Sequence, residues 1–241
     1  MSISIPPIFE VSAMVYKTVI EGKFLSRPNR FIAYVEVEGE RQICHVKNTG
    51  RCKELLTNGA RVILERSSNP KRKTAYDLIA VYKGEGLINM DSQAPNRVFG
   101  EWATKGYFGD LSLIKPECVY GSSRFDFYLE SGERRIFVEV KGVTLEQDGV
   151  VRFPDAPTER GVKHLRELMA AKEAGYEAYV IFVIQMEHCL YFTPNEETHP
   201  AFAEALRKAA EKGVEVRAIT CKVTPNSLTA HQLAEVRLMS R

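Results

Sequence analysis

The chain contains no C-x-x-C pair. Its five cysteines (Cys44, Cys52, Cys118, Cys189 and Cys221) are odd in number and scattered. That argues against a disulfide framework and against a structural zinc site, and it fits a reducing cytoplasm. No apolar run is long enough to cross a bilayer; the longest, AYVIFVI at 178–184, reads as a buried strand. The opening MSISIPPIFE has neither the basic start nor the apolar core of a secretory signal. Low-complexity segments and internal repeats are absent. With 44% hydrophobic and 27% charged residues, the expectation is an ordinary soluble, cytoplasmic protein with no membrane partner.

The 241 residues suffice for one large domain or two small ones. The net charge of +2 divides unevenly, with +6 over residues 1–83 and −4 over the remainder. A basic front half joined to a mildly acidic back half points to different tasks.

In the front half, residues 16–26, 31–38, 41–48, 60–67 and 74–83 read as strands, rich in β-branched and aromatic residues. Arg27–Arg30 reads as a turn, and Thr49 as the cap of a short helix between the third and fourth strands. Three strands, a short helix and two strands is the order of an OB-fold barrel, a nucleic-acid-binding architecture. The back half runs helix (96–106), strands near LIKPECVYG, RFDFYL, RIFVEVKGVTL and VVRFP, a helix over 159–175 capped by Thr158, strand (177–185), helix (200–213) and strand (214–220). That order implies a mixed sheet with helices on both faces. The expected division is therefore an OB-fold domain over 1–83 and an α/β domain of α+β character over 84–241.

The segment SRFDFYLESGERRIFVEVKG (123–142) carries the chemistry. If Gly132-Glu133 forms a two-residue turn, Asp126 stands opposite Glu139, with Cβ atoms about 5 Å apart. Alternation then places Arg124, Asp126 and Tyr128 on one face with Phe137, Glu139 and Lys141. Phe125, Phe127 and Leu129 fall on the other with Ile136, Val138 and Val140. Two carboxylates so close repel unless a cation lies between them. Lys141 supplies some positive charge, and Mg²⁺, which favours hard oxygen ligands, supplies more.

Asp126 followed by Glu139-Val140-Lys141 resembles the PD-(D/E)XK nuclease motif, although Phe125 stands where the motif has proline. HVKNTGRCKELL (45–56), GSSRFDF (121–127), VEVKGVTL (138–145) and FPDAPTERGVKHLREL (153–168) together look like the sugar fermentation stimulation protein A family. Lys47 stands where that family leads one to expect proline, and Cys52 where methionine is expected. The resemblance implies an OB-fold, a nuclease-like domain, DNA binding and a role in regulating sugar (maltose) utilisation. It assigns catalysis to Asp126, Glu139 and Lys141. The metal, Mg²⁺ with Mn²⁺ as the alternative, falls to Asp126, Glu139, the Val140 carbonyl and the helix acid Glu101. Candidate nucleic-acid contacts are Arg27, Arg30, Lys47, Asn48, Arg51, Lys53, Arg124, Arg160, Lys163 and His164. Phe31 reads as core, with base stacking as the other reading; 69–73 reads as a solvated hairpin tip. Two functions stay open: a Mg²⁺-dependent nuclease acting on DNA or RNA, and a non-catalytic DNA-binding regulator.

Overall fold

The computed structural model describes residues 14–48 and 50–239. Sixteen strands and three α-helices are present among them. A six-stranded sheet is ordered β4-β3-β2-β5-β6-β7. Its strands are β2 (Val19–Asn29), β3 (Ile32–Val37), β4 (Glu40–Val46), β5 (Arg61–Arg66), β6 (Tyr76–Lys83) and β7 (Gly86–Asn89). Alternation drives it: Ala33, Val35 and Val37 of β3, Cys44 and Val46 of β4, and Val62 and Leu64 of β5 all point inward and are buried. A parallel pairing of β4 with β6 closes the sheet on itself, giving the five-stranded OB barrel.

Three local expectations change. Arg27–Asn29 continues β2, with bulges between Phe24 and Ser26 and between Ser26 and Asn29. The cap expected at Thr49 lies outside the described residues, and residues 50–60 form turns. Cys52 has φ of 44°, which a right-handed helix does not accommodate. Leu55 and Leu56 still reach the core. Finally, the boundary expected after Lys83 falls in the β6–β7 turn, where Gly84 takes φ of 59°, and β7 extends the first sheet.

The second sheet has seven strands in the order β1-β16-β15-β13-β10-β9-β8. These are β1 (Met14–Val15), β8 (Leu113–Tyr120), β9 (Ser123–Ser131), β10 (Arg134–Val143), β13 (Glu177–Ile184), β15 (Glu215–Thr224) and β16 (Ser227–Ala234). β10, β13 and β15 are parallel and the rest antiparallel. A small sheet joins β11 (Leu145–Gln147), β12 (Val150–Phe153) and β14 (Tyr191–Pro194). Successive residues of β13 enter opposite cores. Val180, Phe182 and Ile184 meet the face covered by α2 (Glu159–Glu173) and α3 (Pro200–Glu211). Ile181 and Val183 meet the face covered by α1 (Ala94–Trp102). β10 and β13 are buried on both faces, which is why they read as near-continuous apolar runs. α1 stops earlier than its sequence implies, because a π-helical turn, Ala103–Tyr107, follows and Gly106 turns out at φ of 92°.

The two halves share a buried polar seam. Gln185 donates to Asn89 Oδ1 (2.9 Å) and to the Asp91 carbonyl (3.0 Å), and Asn89 donates to the Tyr16 hydroxyl (2.8 Å).

Candidate active site

Gly132 and Glu133 form the two-residue turn, and Ser131 pairs with Arg134. That register runs up the hairpin to Phe127↔Val138 and stops one step short of Asp126 and Glu139. Asp126 has taken over the ladder. Its Oδ2 accepts the backbone N–H of Val140 at 2.8 Å, and its Oδ1 accepts the Asn96 amide from α1 at 3.0 Å. The break shows on the other side too. Glu117, across from Asp126 on β8, takes φ of 53°. The kink corrects the expected alternation: Phe125 sits 5.3 Å from Phe137 and 5.9 Å from Tyr120, on the α2 face. Phe127 stays on the α1 face, 4.8 Å from Phe99.

Glu139 points toward α2. It is 2% exposed, and its Oε1 is contacted by both the Lys141 ammonium and His164 Nδ1. Its Oε2 is buried and accepts no hydrogen bond from any described residue. α2 presents His164 because Thr158 caps the helix, accepting the Gly161 N–H at 3.0 Å. The stripe Gly161, Val162, His164, Leu165 and Leu168 then faces inward. Arg160 Nε donates to His164 Nε2 at 3.3 Å.

The two carboxyls are driven apart. Burial and then the charge of Glu139 push the Asp126 carboxyl above its ordinary value, against the Val140 N–H and Lys141. Burial pushes Glu139 up as well. The hydrogen bond from His164 and the Lys141 ammonium outweigh it and hold Glu139 below the usual carboxylate range.

Other candidates are placed differently. Glu101 forms an ion pair with Lys105 at 2.7 Å through Oε1, while its Oε2 is buried and accepts no hydrogen bond from any described residue. Among the described residues, no three His, Cys, Asp or Glu side chains are grouped so as to hold a metal ion. Glu101 sits near the end of α1 (Ala94–Trp102). It lies about 140° around α1 from Asn96, the helix residue that does reach the site. No local sequence signal marks Asn96. His164 is buried against Glu139 and so is not a surface contact for phosphate. Lys163 donates to the Ser122 carbonyl at 2.7 Å, Arg160 is exposed, and Arg124 pairs with Glu117 at 3.5 Å on the surface.

On the barrel, Arg27 is a loop organiser. Its guanidinium donates to the carbonyls of Asn48 (2.6 Å), Arg30 (2.7 Å), Gly50 (2.9 Å) and Arg51 (3.0 Å). The Lys47 ammonium is enclosed by Asp91 (3.1 Å), Glu65 (3.5 Å) and Asp77 (4.0 Å), which removes it from phosphate contact. At the expected hairpin tip, Arg72 is drawn back onto Asp77 at 2.6 Å. Phe31 is 45% exposed rather than core, with the Arg30 guanidinium over its ring at 4.8 Å. Asn48 Oδ1 accepts the Gly50 N–H at 2.7 Å.

Arg30, Arg51 and Lys53 line a basic hollow of about 530 Å³. A second cleft, of about 310 Å³, lies between the barrel and the large sheet, walled by Asn48, Gly142, Thr144, Arg152 and Asp155. The two meet at Gly50. The cleft opens beside Gly142, the residue after Lys141, outside the carboxyl ends of parallel β10 and β13.

Barrel and sheet together define an OB domain joined to a PD-(D/E)XK nuclease-like domain. Residues 25–90 match the SfsA N-terminal OB domain, and residues 93–227 match the sugar fermentation stimulation protein RE domain. The chain belongs to the sugar fermentation stimulation protein family. It is 61% identical over 226 residues to the sugar fermentation stimulation protein homolog of Desulfitobacterium hafniense (strain Y51), covering 94% of this chain and 99% of that one. It is 55% identical over 226 residues to the homolog of Clostridium beijerinckii, covering 93% of this chain and 100% of that one. The structure of Pyrococcus furiosus SfsA in complex with Ca²⁺ matches with a TM-score of 0.82 at 25% identity, covering 94% of this chain and 99% of that one. All five cysteines are free. Among the described residues, no helix is long and apolar enough to cross a membrane.

Proposed function

We propose that this chain binds a polynucleotide through its barrel and hydrolyses a phosphodiester bond at Asp126, Glu139 and Lys141. DNA is the expected substrate and RNA the alternative. The observation that carries the proposal is Glu139 Oε2, a buried carboxylate oxygen with no hydrogen-bond donor, set beside a second carboxylate and an ammonium group. An anionic oxygen left unsatisfied in the interior is costly, and hard oxygens of this kind suit Mg²⁺ or Mn²⁺. Asp126, Glu139 and the Val140 carbonyl would hold the ion. Pyrococcus furiosus SfsA, whose structure is described as a complex with Ca²⁺, supports a divalent cation here.

A bound cation lowers the pKa of a coordinated water and offsets phosphate charge. The chain's own groups do the rest. Lys141, anchored on Glu139 Oε1, aims an ammonium group where charge develops on the phosphoryl oxygens. Asn96 and the Val140 N–H fix both oxygens of Asp126. The hollow of Arg30, Arg51 and Lys53 gives sequence-independent phosphate affinity, and the exposed Phe31 offers a stacking surface.

The test is incubation of purified protein with labelled single- and double-stranded DNA and RNA, with Mg²⁺, Mn²⁺ or EDTA. Cleavage that requires the metal and is lost in Asp126→Asn supports the proposal. Binding without cleavage of any substrate in either metal overturns it, in favour of a non-catalytic DNA-binding regulator.

A further inference from the structure

We infer that His164 and Arg160 form a positioning pair that sets the Glu139 carboxylate, so that one oxygen is saturated by protein and the other is left as a cation ligand. The inference rests on the cation reading above, and it gives that reading a second layer of residues.

The argument begins with the proton. Arg160 can only donate, so at 3.3 Å from Arg160 Nε the His164 Nε2 must accept. The ring proton then lies on Nδ1 and is donated to Glu139 Oε1. A neutral ring in this tautomer is held between a fixed cation and a fixed anion. His164 is 4% exposed, and the Phe125 ring meets it edge-on at 6.3 Å, so the imidazole has little room to turn. Lys141 also takes Oε1. Both donors therefore converge on one oxygen of Glu139, and Oε2 has none. Random satisfaction of a buried carboxylate would share two donors between two oxygens. Here the pair fixes the carboxylate's rotation and reserves Oε2. The sequence spacing serves this: positions 160 and 164 are one helical turn apart on α2 and stack on one face.

His164 is a positioning residue. It acts through Glu139, much as a hydrogen-bonded partner orients a metal ligand in other sites. The test is direct titration of full-length protein with Mn²⁺ by calorimetry, without nucleic acid, alongside thermal melts. Three variants are compared with wild type. His164→Asn keeps a donor at the Nδ1 position and is expected to bind within about threefold of wild type. His164→Leu removes the donor and is expected to bind about 10–100-fold more weakly, the usual cost of losing such a partner. Arg160→Leu lies at an exposed position, leaves the fold intact and is expected to weaken binding several-fold by releasing the tautomer. It keeps the test decisive if His164→Leu does not fold. Arg160→Leu binding Mn²⁺ as tightly as wild type overturns the pair. So does a folded His164→Leu with wild-type affinity. A wild type that gives no Mn²⁺ binding at all overturns the cation reading itself, a distinct result.

Discussion

Two places in this molecule gather carboxylates around a lysine, and they are satisfied in opposite ways. At Lys47 each carboxylate oxygen within reach is met by a donor or by the lysine's own charge. Asp91 accepts from Lys47, Tyr16 and the Gln93 N–H; Asp77 accepts from Arg72 and His45; Glu65 accepts the Lys17 N–H and pairs with the Lys47 ammonium at 3.5 Å. At Lys141 the second oxygen of Glu139 has none, and the Asp126 carboxyl is raised while Glu139 is lowered. The first cluster is closed and holds the barrel to the chain leading into α1. The second is left incomplete, at the expense of stability. Net charge does not separate them. What separates these two clusters is whether each of their buried carboxylate oxygens is answered.

The largest contrast should appear in catalysis. Lys141→Met should lower the cleavage rate by about 10²–10³, the range for removing one preorganised charge-stabilising donor. Lys47→Met should leave the rate per folded molecule unchanged. Gel-based single-turnover assays at saturating enzyme measure both, and equal losses in the two variants would erase the distinction.

In stability the order reverses. Lys47→Met leaves the nearly buried Asp91 beside Glu65 without their cation, and breaking such a cluster costs about 3 kcal/mol. For a chain of this size that is a fall in Tm of about 6–12 °C. Burial pushes the Lys47 ammonium down, but Asp91, Asp77 and Glu65 outweigh it and its pKa is raised. A raised basic group contributes stability that is fully present below its unfolded value of 10.5 and is lost as pH rises through its higher folded value. Melts from pH 6 to 10 should therefore show a constant deficit, narrowing only in stronger alkali.

The sequence made one of these clusters visible and hid the other, for a physical reason. Asp126, Glu139 and Lys141 lie on one hairpin, whose register follows from the length of its turn. Lys47 meets carboxylates from positions 65, 77 and 91, and only barrel closure brings them together. His164 is likewise 25 positions from Glu139, and α2 had to pack before their contact existed. The side of the strand on which Phe125 lies was hidden because the kink at Asp126 depends on β8. β14 and β16 carry weak apolar alternation and are strands mainly because neighbouring strands pair with them. Phe31 misled through composition, since an aromatic in a strand-rich segment is more often interior.

Asp126→Asn sharpens the comparison from the other side. A carboxyl whose folded pKa is raised destabilises the fold above that pKa, and the penalty disappears as pH falls toward the unfolded value of 3.8. Asparagine keeps an acceptor for the Val140 N–H, and Asn96 can turn its amide to match the new donor. At pH 7 without metal, the variant should be more stable than wild type, and the gain should fade as pH falls toward 3.8. Mg²⁺ at a hundredfold excess over its dissociation constant should stabilise wild type by about 2.7 kcal/mol and the variant by almost nothing. Identical wild-type melts in Mg²⁺ and EDTA, with no gain in the variant, would remove the physical basis of the metal site.

The smallest effect separates lysines by what already neutralises them. Each phosphate neutralised on duplex DNA adds about 0.9 to the log–log salt slope of binding. Arg51 and Lys53 are exposed and line the basic hollow, so replacing both by alanine should flatten that slope by about 1.8. The Lys47 ammonium is already neutralised by three carboxylates and releases no counterion, so Lys47→Met should leave the slope unchanged, measured well below its lowered Tm. The readout is fluorescence anisotropy of a labelled duplex between 50 and 200 mM salt, in EDTA to prevent cleavage. A slope unaltered in the Arg51/Lys53 double variant moves the binding surface off this hollow. A slope flattened in Lys47→Met would mean that the cage opens to meet DNA, and the contrast between a closed and an open lysine cluster would fail.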